Sequence, residues 1–309
     1  MTHQANTNAI TPISDISKVL DVLETIILGK RPQLDLAVAC MLARGHLLIE
    51  DVPGTGKTTL AHSLGKCLGL SSTRVQFTSD LLPADIVGVS IFNSNEQAFE
   101  FRQGPVFTSV LLADEINRAP PKAQSALLEA MEERQVSVDG NSYALPKEFF
   151  VIATQNPTDQ LGAFPLPESQ LDRFLVGIEL GYPDPQAERA LMESGDKRIQ
   201  IDKLQAVSNK KQLAQWVSEV AQVHVSASIF DYIQALLLQS RTTGTGLSSR
   251  AGLNLVKLSK AIAFVSGRNH VLPDDVQAVF PALAGHRLTG KVSTGKLAAK
   301  EILDIVPAP

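Results

Sequence analysis

One stretch constrains this chain more than any other: Asp51-Val-Pro-Gly-Thr-Gly-Lys-Thr58 lies directly between an apolar run, His46-Leu-Leu-Ile-Glu50, and a helical pattern, Thr59-Leu-Ala-His-Ser-Leu-Gly-Lys66. Backbone amides from Gly54 to Thr58, at the positive end of the following helix, can wrap a diphosphate. Lys57 adds a point charge for the β and γ phosphates, and Thr58 offers its hydroxyl to Mg2+. Asp51, Val52, Pro53, Gly54, Thr55, Gly56, Lys57, Thr58 and Thr59 are therefore the candidate nucleotide-binding residues. The usual pattern has Gly where Asp51 stands, and Asp tolerates left-handed backbone better than most residues. A glycine turn that merely opens a helix is the bland alternative, and the strand, loop and helix context disfavours it.

Further apolar runs alternate with helix-length stretches: Arg74-Val-Gln-Phe-Thr78, Val110-Leu-Leu-Ala-Asp114, Phe149-Phe-Val-Ile-Ala153 and Phe174-Leu-Val-Gly-Ile178. Strands that need not alternate polar with apolar belong to a parallel sheet covered on both faces, an α/β architecture. After Tyr182-Pro-Asp-Pro185 the strand signals stop. Helical patterns then cover Gln186 to Ser194, Lys210 to Val220, Ser226 to Ser240, Ser248 to Ser266 and Pro273 to Ala284, with Pro and acids at plausible helix starts. The expectation is an α/β unit over residues 1–185 and a smaller all-helical unit over 186–309. Residues 90–101 and 135–145 each place turn residues between alternating runs and predict two inserted hairpins. They are read either as surface decoration or as carriers of partner or pore contacts.

Val110 to Glu115 ends in two carboxylates at the edge of the sheet where ligands bind in open α/β folds. Asp114 is the candidate to hold Mg2+ through water, and Glu115 the candidate general base that polarises an attacking water. Ala153-Thr-Gln-Asn-Pro157 brings Asn156 to the same edge, where an uncharged amide can orient that water and sense the γ phosphate. Alone, the acids could cap a helix and the Asn could make a turn before Pro.

With 309 residues, 44% of them hydrophobic, the chain is long enough for two compact units with a large core. The polar start Met1 to Asn8 lacks a secretory pattern, and no apolar run approaches the roughly 18 residues that span a bilayer. A cytoplasmic protein is expected. Cys40 and Cys67 fall among apolar residues and are expected as buried free thiols. The net charge of −4 is uneven: residues 241–300 carry nine Lys or Arg against Asp274 and Asp275. These cations are scattered without interleaved aromatics, so subunit packing or solvation is favoured over nucleic acid.

The order of these elements resembles AAA+ ATPases. The stretch Asp114-Glu-Ile-Asn-Arg-Ala-Pro-Pro-Lys-Ala-Gln-Ser-Ala-Leu-Leu-Glu-Ala-Met131 resembles the MoxR family within them, over a match running from about Ile26 to Leu283. The resemblance implies a parallel sheet of strand order 5-1-4-3-2 with a helical lid, and ATP and Mg2+ as ligands. It makes Asn156 similar to sensor 1, Arg173 in Leu171-Asp-Arg-Phe174 to an arginine finger acting in a neighbour's site, and Arg250 in Gly246-Leu-Ser-Ser-Arg-Ala251 to sensor 2, reaching the γ phosphate of its own subunit. The family pattern often has Pro where Ser249 stands. Arg118 competes with Arg173 for the interface role, and Arg173 could instead pair within its own chain with Asp172 or Glu168. Ile27-Leu-Gly-Lys30 corresponds to the segment that lines adenine. Hexameric rings and clients bearing a von Willebrand factor A domain are implied, the latter often linked to metal or cofactor insertion. A magnesium-chelatase-type motor and a nucleic-acid motor are the rival readings. Phe99, Phe101 and Tyr143 on the hairpins are candidates to grip a polypeptide or, equally, to pack the hairpins onto their own unit.

Overall fold

The computed structural model describes residues 13–156, 162–194, 201, 204–242 and 246–309. The polar start Met1 to Asn8 and Pro157 lie outside them. Helices α1 (Ile13–Ile26) and α2 (Arg31–Leu42), which no pattern above singled out, precede strand β1 (Leu47–Glu50). The glycine loop leads into α3 (Lys57–Cys67), then β2 (Ser72–Gln76), α4 (Pro83–Val87), β3 (Gly88–Asn93), β4 (Ala98–Gln103) and β5 (Val110–Asp114). Next come α5 (Pro121–Glu133), β6 (Gln135–Val138), β7 (Asn141–Ala144), β8 (Phe150–Gln155), α6 (Glu168–Leu171) and β9 (Val176–Ile178). From Pro185 onward the elements are helices: α7 (Pro185–Ser194), α8 (Lys210–Gln222), α9 (Ala227–Ser240), α10 (Ser249–Val265), α11 (Pro273–Thr289) and α12 (Val292–Ile305).

Five strands pair in parallel in the order β2-β5-β8-β1-β9. Counting only these strands along the chain, the order is 2-3-4-1-5, as expected. Every residue of β1, β5 and β9 is buried, which is why these strands read as near-continuous apolar runs. Strand β2 lies at the edge and begins two residues earlier than its apolar signal, with most of its side chains partly exposed.

The two faces of the sheet feed two separate cores. Leu47, Ile49, Val110, Leu112 and Ile152 join one cluster, and Leu48, Leu111, Ala113, Val151 and Ala153 the other, following the two-residue period of a strand. The first cluster also takes in Trp216, Leu255 and Phe280, so the C-terminal helices share a core with one face of the sheet. Helix α11 runs past Ala284 to Thr289 with Pro281 inside it, and α12 closes against it. The close approach depends on glycine: a Cβ on Gly295 would overlap the Gly285 carbonyl. Cys40 and Cys67 are buried and unpaired. No helix among the described residues is long and apolar enough to cross a membrane.

Both hairpins form. In β3–β4, Phe92 stands opposite Phe99, and their rings meet edge to face at 5.4 Å. In β6–β7 the turn is Asp139-Gly140, both with positive φ (50° and 80°), the left-handed pair a two-residue hairpin turn requires. Phe101 stacks on Tyr143 at 4.1 Å and meets Phe107 edge on at 5.8 Å, so these two aromatics hold one hairpin to the other. Phe99, at 75% exposure, faces solvent.

His46, just before β1, fastens the sheet to α5. Its Nδ1 accepts the Val151 N–H at 3.0 Å, which leaves Nε2–H for the Met131 carbonyl at 3.3 Å. Burial, reinforced by the Arg134 charge, lowers its pKa from 6.5 to about 3. Between those values the unfolded chain binds a proton that the folded chain refuses, so stability falls as pH drops below about 6.5, by up to about 1.4 kcal/mol per pH unit. His286, buried with its pKa also held well below 6.5 by desolvation, adds in the same direction. Thermal unfolding midpoints should therefore fall on acidification from about pH 7 to about pH 5. His46→Asn, whose amide oxygen can take the Val151 N–H without titrating, should show a shallower decline; an unchanged slope would remove His46 from the account.

Candidate functional site

The backbone of the glycine loop Asp51–Thr58 has a geometry that can receive an anion. Gly54 and Gly56 hold φ of 88° and 93°, so a side chain at either would strain the turn. Gly56 is the N-cap of α3 and no side chain caps it, which leaves the first-turn amides to an incoming acceptor. The Lys57 ammonium donates to the carbonyls of Asp51 (2.7 Å) and Val52 (3.1 Å). Desolvation lowers its pKa, and the nearby Asp51, Asp114 and Glu115 charges oppose that shift. Thr55 donates its hydroxyl to the Val52 carbonyl at 3.2 Å, while Thr58 and Thr59 lie partly buried in the first turn of α3.

Asp51 works differently from the expectation. It is not among the positive-φ residues, so left-handed tolerance does not explain the Asp at this position. The residue is 6% exposed, and its carboxylate accepts three backbone amides: Val52 at 2.9 Å, Leu180 at 2.8 Å and Gly181 at 2.7 Å. A charged acceptor thus staples the start of the loop to the segment leaving β9. Nearby opens a cavity of about 520 Å3 lined by Ile27, Leu28, Lys30, Gly54, Thr59 and Tyr182, so the Ile27–Lys30 segment and the glycine loop share one concave surface.

Asp114 and Glu115 sit at the C-terminal edge of β5, across from β8. The Thr154 hydroxyl donates to Asp114 Oδ1 at 2.5 Å and accepts the Glu115 N–H at 2.9 Å, fixing both acids with one side chain. Arg74 on β2 donates to Asp114 Oδ2 at 2.6 Å and 3.1 Å. Glu115 adopts a left-handed backbone (φ 56°), an uncommon conformation for a residue other than Gly, Asn or Asp and one that clusters at functional sites. Its carboxylate accepts Gln76 Nε2 at 2.9 Å and Arg118 at 3.3 Å. Asn156, partly buried, lies at the end of β8 and lines a cavity of about 310 Å3 with Glu50, Asn117 and Lys291. Arg74, Gln76 and Thr154 were missed by the sequence reading; for the first two the signal available was their alternation with Val75 and Phe77. The oxygen donors of Thr58 and Asp114 are of the hard type that Mg2+ takes together with phosphate oxygens and water, so the residues present fit that ion.

The two remaining arginines meet elsewhere. Arg173 Nε lies 3.2 Å from Glu132 Oε2, and Arg250 NH1 lies 3.2 Å from Glu132 Oε1. Glu132 is near the C-terminal end of α5, whereas Glu115 precedes its start. At 1.5 Å per residue the two ends lie on the order of 17 Å apart. The structure therefore brings Arg250 to Arg173, not to the edge that carries Glu115. Arg118, by contrast, stays with Glu115.

The backbone around Arg173 is held from α11. Arg287, its side chain 5% exposed, donates to Asp172 Oδ1 at 2.8 Å, to the Asp172 and Phe174 carbonyls at 3.1 and 2.7 Å, and to the Leu175 carbonyl at 3.3 Å. The intrachain partner offered above for Arg173, Asp172, thus belongs to Arg287.

A five-stranded parallel sheet with a glycine loop, two acids and a polar edge residue, followed by a helical bundle, defines an ATPase of the AAA+ class. The comparisons agree. Residues 46–176 match the ATPase family associated with various cellular activities (AAA), and residues 236–305 match the AAA lid domain. The chain is 36% identical to Chaperone MoxR1 of Mycobacterium tuberculosis, covering 89% of this chain and 76% of that protein. It is 42% identical to the uncharacterized protein YeaC of Bacillus subtilis, covering 88% and 86% respectively. A crystal structure of a protein assigned as an ATPase from Cytophaga hutchinsonii superposes with a TM-score of 0.85 at 34% identity over 96% of both chains. The chain belongs to the MoxR family of AAA+ ATPases.

Replacing Arg287 by Met should leave Asp172 and several carbonyls without their donor in a buried setting. We expect a loss of about 3 kcal/mol or more in unfolding free energy by chemical denaturation. A loss below about 1 kcal/mol would mean that water or neighbouring groups replace the guanidinium.

Proposed function

We propose that this chain binds ATP with Mg2+, hydrolyses it at the interfaces of a homo-oligomeric ring, and uses the cycle to remodel or mature a protein partner. The observation that carries the reading is the division of the site. Lys57, Asp114, Glu115 and Asn156 converge on one sheet edge, while Arg173 and Arg250 stand together on Glu132, about a helix length away. In this reading residues 1–185 carry the nucleotide and 186–309 form the lid.

Amides of Gly54 to Thr58 and the Lys57 ammonium bind the β and γ phosphates, and Asp51 keeps the loop in place from below. Thr58 and Asp114 would hold Mg2+, which supplies neutralisation of phosphate charge. Glu115 takes the proton of the attacking water as its oxygen bonds to the γ phosphorus, the bridging oxygen to the β phosphate leaves with ADP, and Asn156 orients that water. Arg173 and Arg250 both serve the adjacent subunit, where guanidinium groups stabilise the charge spreading over the γ phosphate. Arg250 is thus assigned to the neighbour's nucleotide and not to its own.

A protein client suits the exposed Phe92–Phe99 pair at the tip of the first hairpin better than a nucleic acid, which would call for cations there. The name of the mycobacterial relative, a chaperone, supports the same reading. A hexameric ring, a cytoplasmic location and a client bearing a von Willebrand factor A domain, with metal or cofactor insertion as its outcome, complete the proposal at the level of the family.

Turnover per subunit should rise with protein concentration and collapse in Glu115→Gln. Arg173→Ala should lose on the order of a thousandfold while still binding ATP. Turnover that is independent of concentration and indifferent to Arg173→Ala would mean a self-contained site and would end the ring reading.

A further inference from the structure

We propose that Glu132 is a positioning residue that joins Arg173 and Arg250 into a single unit presented to the neighbouring subunit's nucleotide. The inference rests on the reading above, in which both arginines act across the interface.

The two arginines come from distant parts of the chain. Arg173 follows α6 on the way into β9, and Arg250 lies in the first turn of α10 among the C-terminal helices. Glu132 of α5 gives one carboxylate oxygen to each, at 3.2 Å in both cases. Glu129 and Glu133 line the adjoining cavity with Arg173, yet among the described residues only Glu132 pairs with both arginines. Without that carboxylate, two like charges would face each other at close range and drive the side chains apart.

The exposure of the cluster decides what it is for. Arg173, Glu132 and Arg250 have side chains 30%, 36% and 56% exposed. Ion pairs this open to water contribute little to stability, so holding the fold together is a poor explanation for the bridge. Its geometric effect is larger. The Arg173 backbone is already fixed on both sides by Arg287, and the Arg250 backbone by a helix start capped through the Ser248 side chain. The remaining freedom lies in the two long side chains, which Glu132 restricts to a common position. Within the triad, two guanidinium groups on one carboxylate leave one unit of positive charge uncompensated by Glu132. Arginines already oriented lose less entropy when that phosphate arrives.

The test uses Glu132→Gln, which keeps the shape and removes the charge. In the full-length protein, kcat for ATP should fall about tenfold, with KM and the mass of the assembly unchanged. Glu132→Gln combined with Arg173→Ala should be no slower than Arg173→Ala alone, because both changes act on one unit. Mixing Glu132→Gln subunits with an excess of Glu115→Gln subunits should raise turnover per Glu132→Gln subunit several-fold, because the second variant lacks its own base but presents an intact arginine pair to its neighbour. A Glu132→Gln protein as fast as the wild type overturns the proposal, as does a defect that mixing leaves unrepaired. In either case a dead Arg173→Ala protein keeps the interfacial reading standing. Normal turnover in both Arg173→Ala and Arg250→Ala would fell that reading itself, and the role of Glu132 with it.

Discussion

Both halves of the site depend on how the C-terminal helices are fastened to the sheet, and the Arg287 guanidinium is the centre of that joint. It is almost fully buried, and its donors go to the Asp172 carboxylate and to carbonyls on either side of Arg173. A charge in that position is costly unless every donor is used, so the helix cannot shift without dragging the arginine-bearing turn along. The same helix carries His286, whose Nε2 meets the Phe174 carbonyl at 3.0 Å. Helix α11 and the segment entering β9 thus behave as one piece.

The nucleotide end is fastened by two consecutive residues. Glu50 closes β1 and its carboxylate accepts the Val292 amide at the start of α12, where the helix end favours negative charge. Burial raises its pKa, and the Val292 hydrogen bond opposes that rise. Asp51 then binds the amides of Leu180 and Gly181. Lys296 adds an ion pair to Glu179 at 3.3 Å. The start of the glycine loop is therefore tied to the exit of β9, and the end of β1 just before it to the last helix. The Glu50 and Asp51 ties all end on backbone amides.

The sequence was most readable where a single local rule decides. Strands buried on both faces read as apolar runs, the glycine loop followed by a helix specifies its own geometry, and Asp139-Gly140 marks a two-residue turn. Strand β2 was displaced by two residues because an edge strand keeps polar groups and loses the contrast with its surroundings. Helix α2 escaped because an almost wholly apolar run has no amphipathic period to detect. The misreading of Asp51 has another cause. Its partners, Leu180 and Gly181, are 129 and 130 residues away, and no spacing rule reaches that far. Thr154, Gln76, Glu132 and Arg287 share that difficulty, each acting through a partner brought close only by the sheet. The pairing of Phe101 with Tyr143 likewise needed both hairpins to be placed before either aromatic could be assigned.

The division of the site follows from the topology itself. Strand β5 delivers Asp114 and Glu115 to one edge of the sheet, and α5 must then run back along the sheet before β8 can enter in parallel. Glu132, near the far end of that return, is consequently separated from Glu115 by the length of the helix. Chain connectivity brings the turn before β9 and the start of α10 to that far end, so the two guanidinium groups gather where the acids cannot be. A fold of this kind keeps Glu115 and the two arginines apart. In the function proposed above, a second copy with its far end against the first copy's nucleotide would place them around one phosphate. On that proposal, dependence of hydrolysis on assembly would follow from the βαβ return, with the side chains at its two ends determining how strongly it is felt.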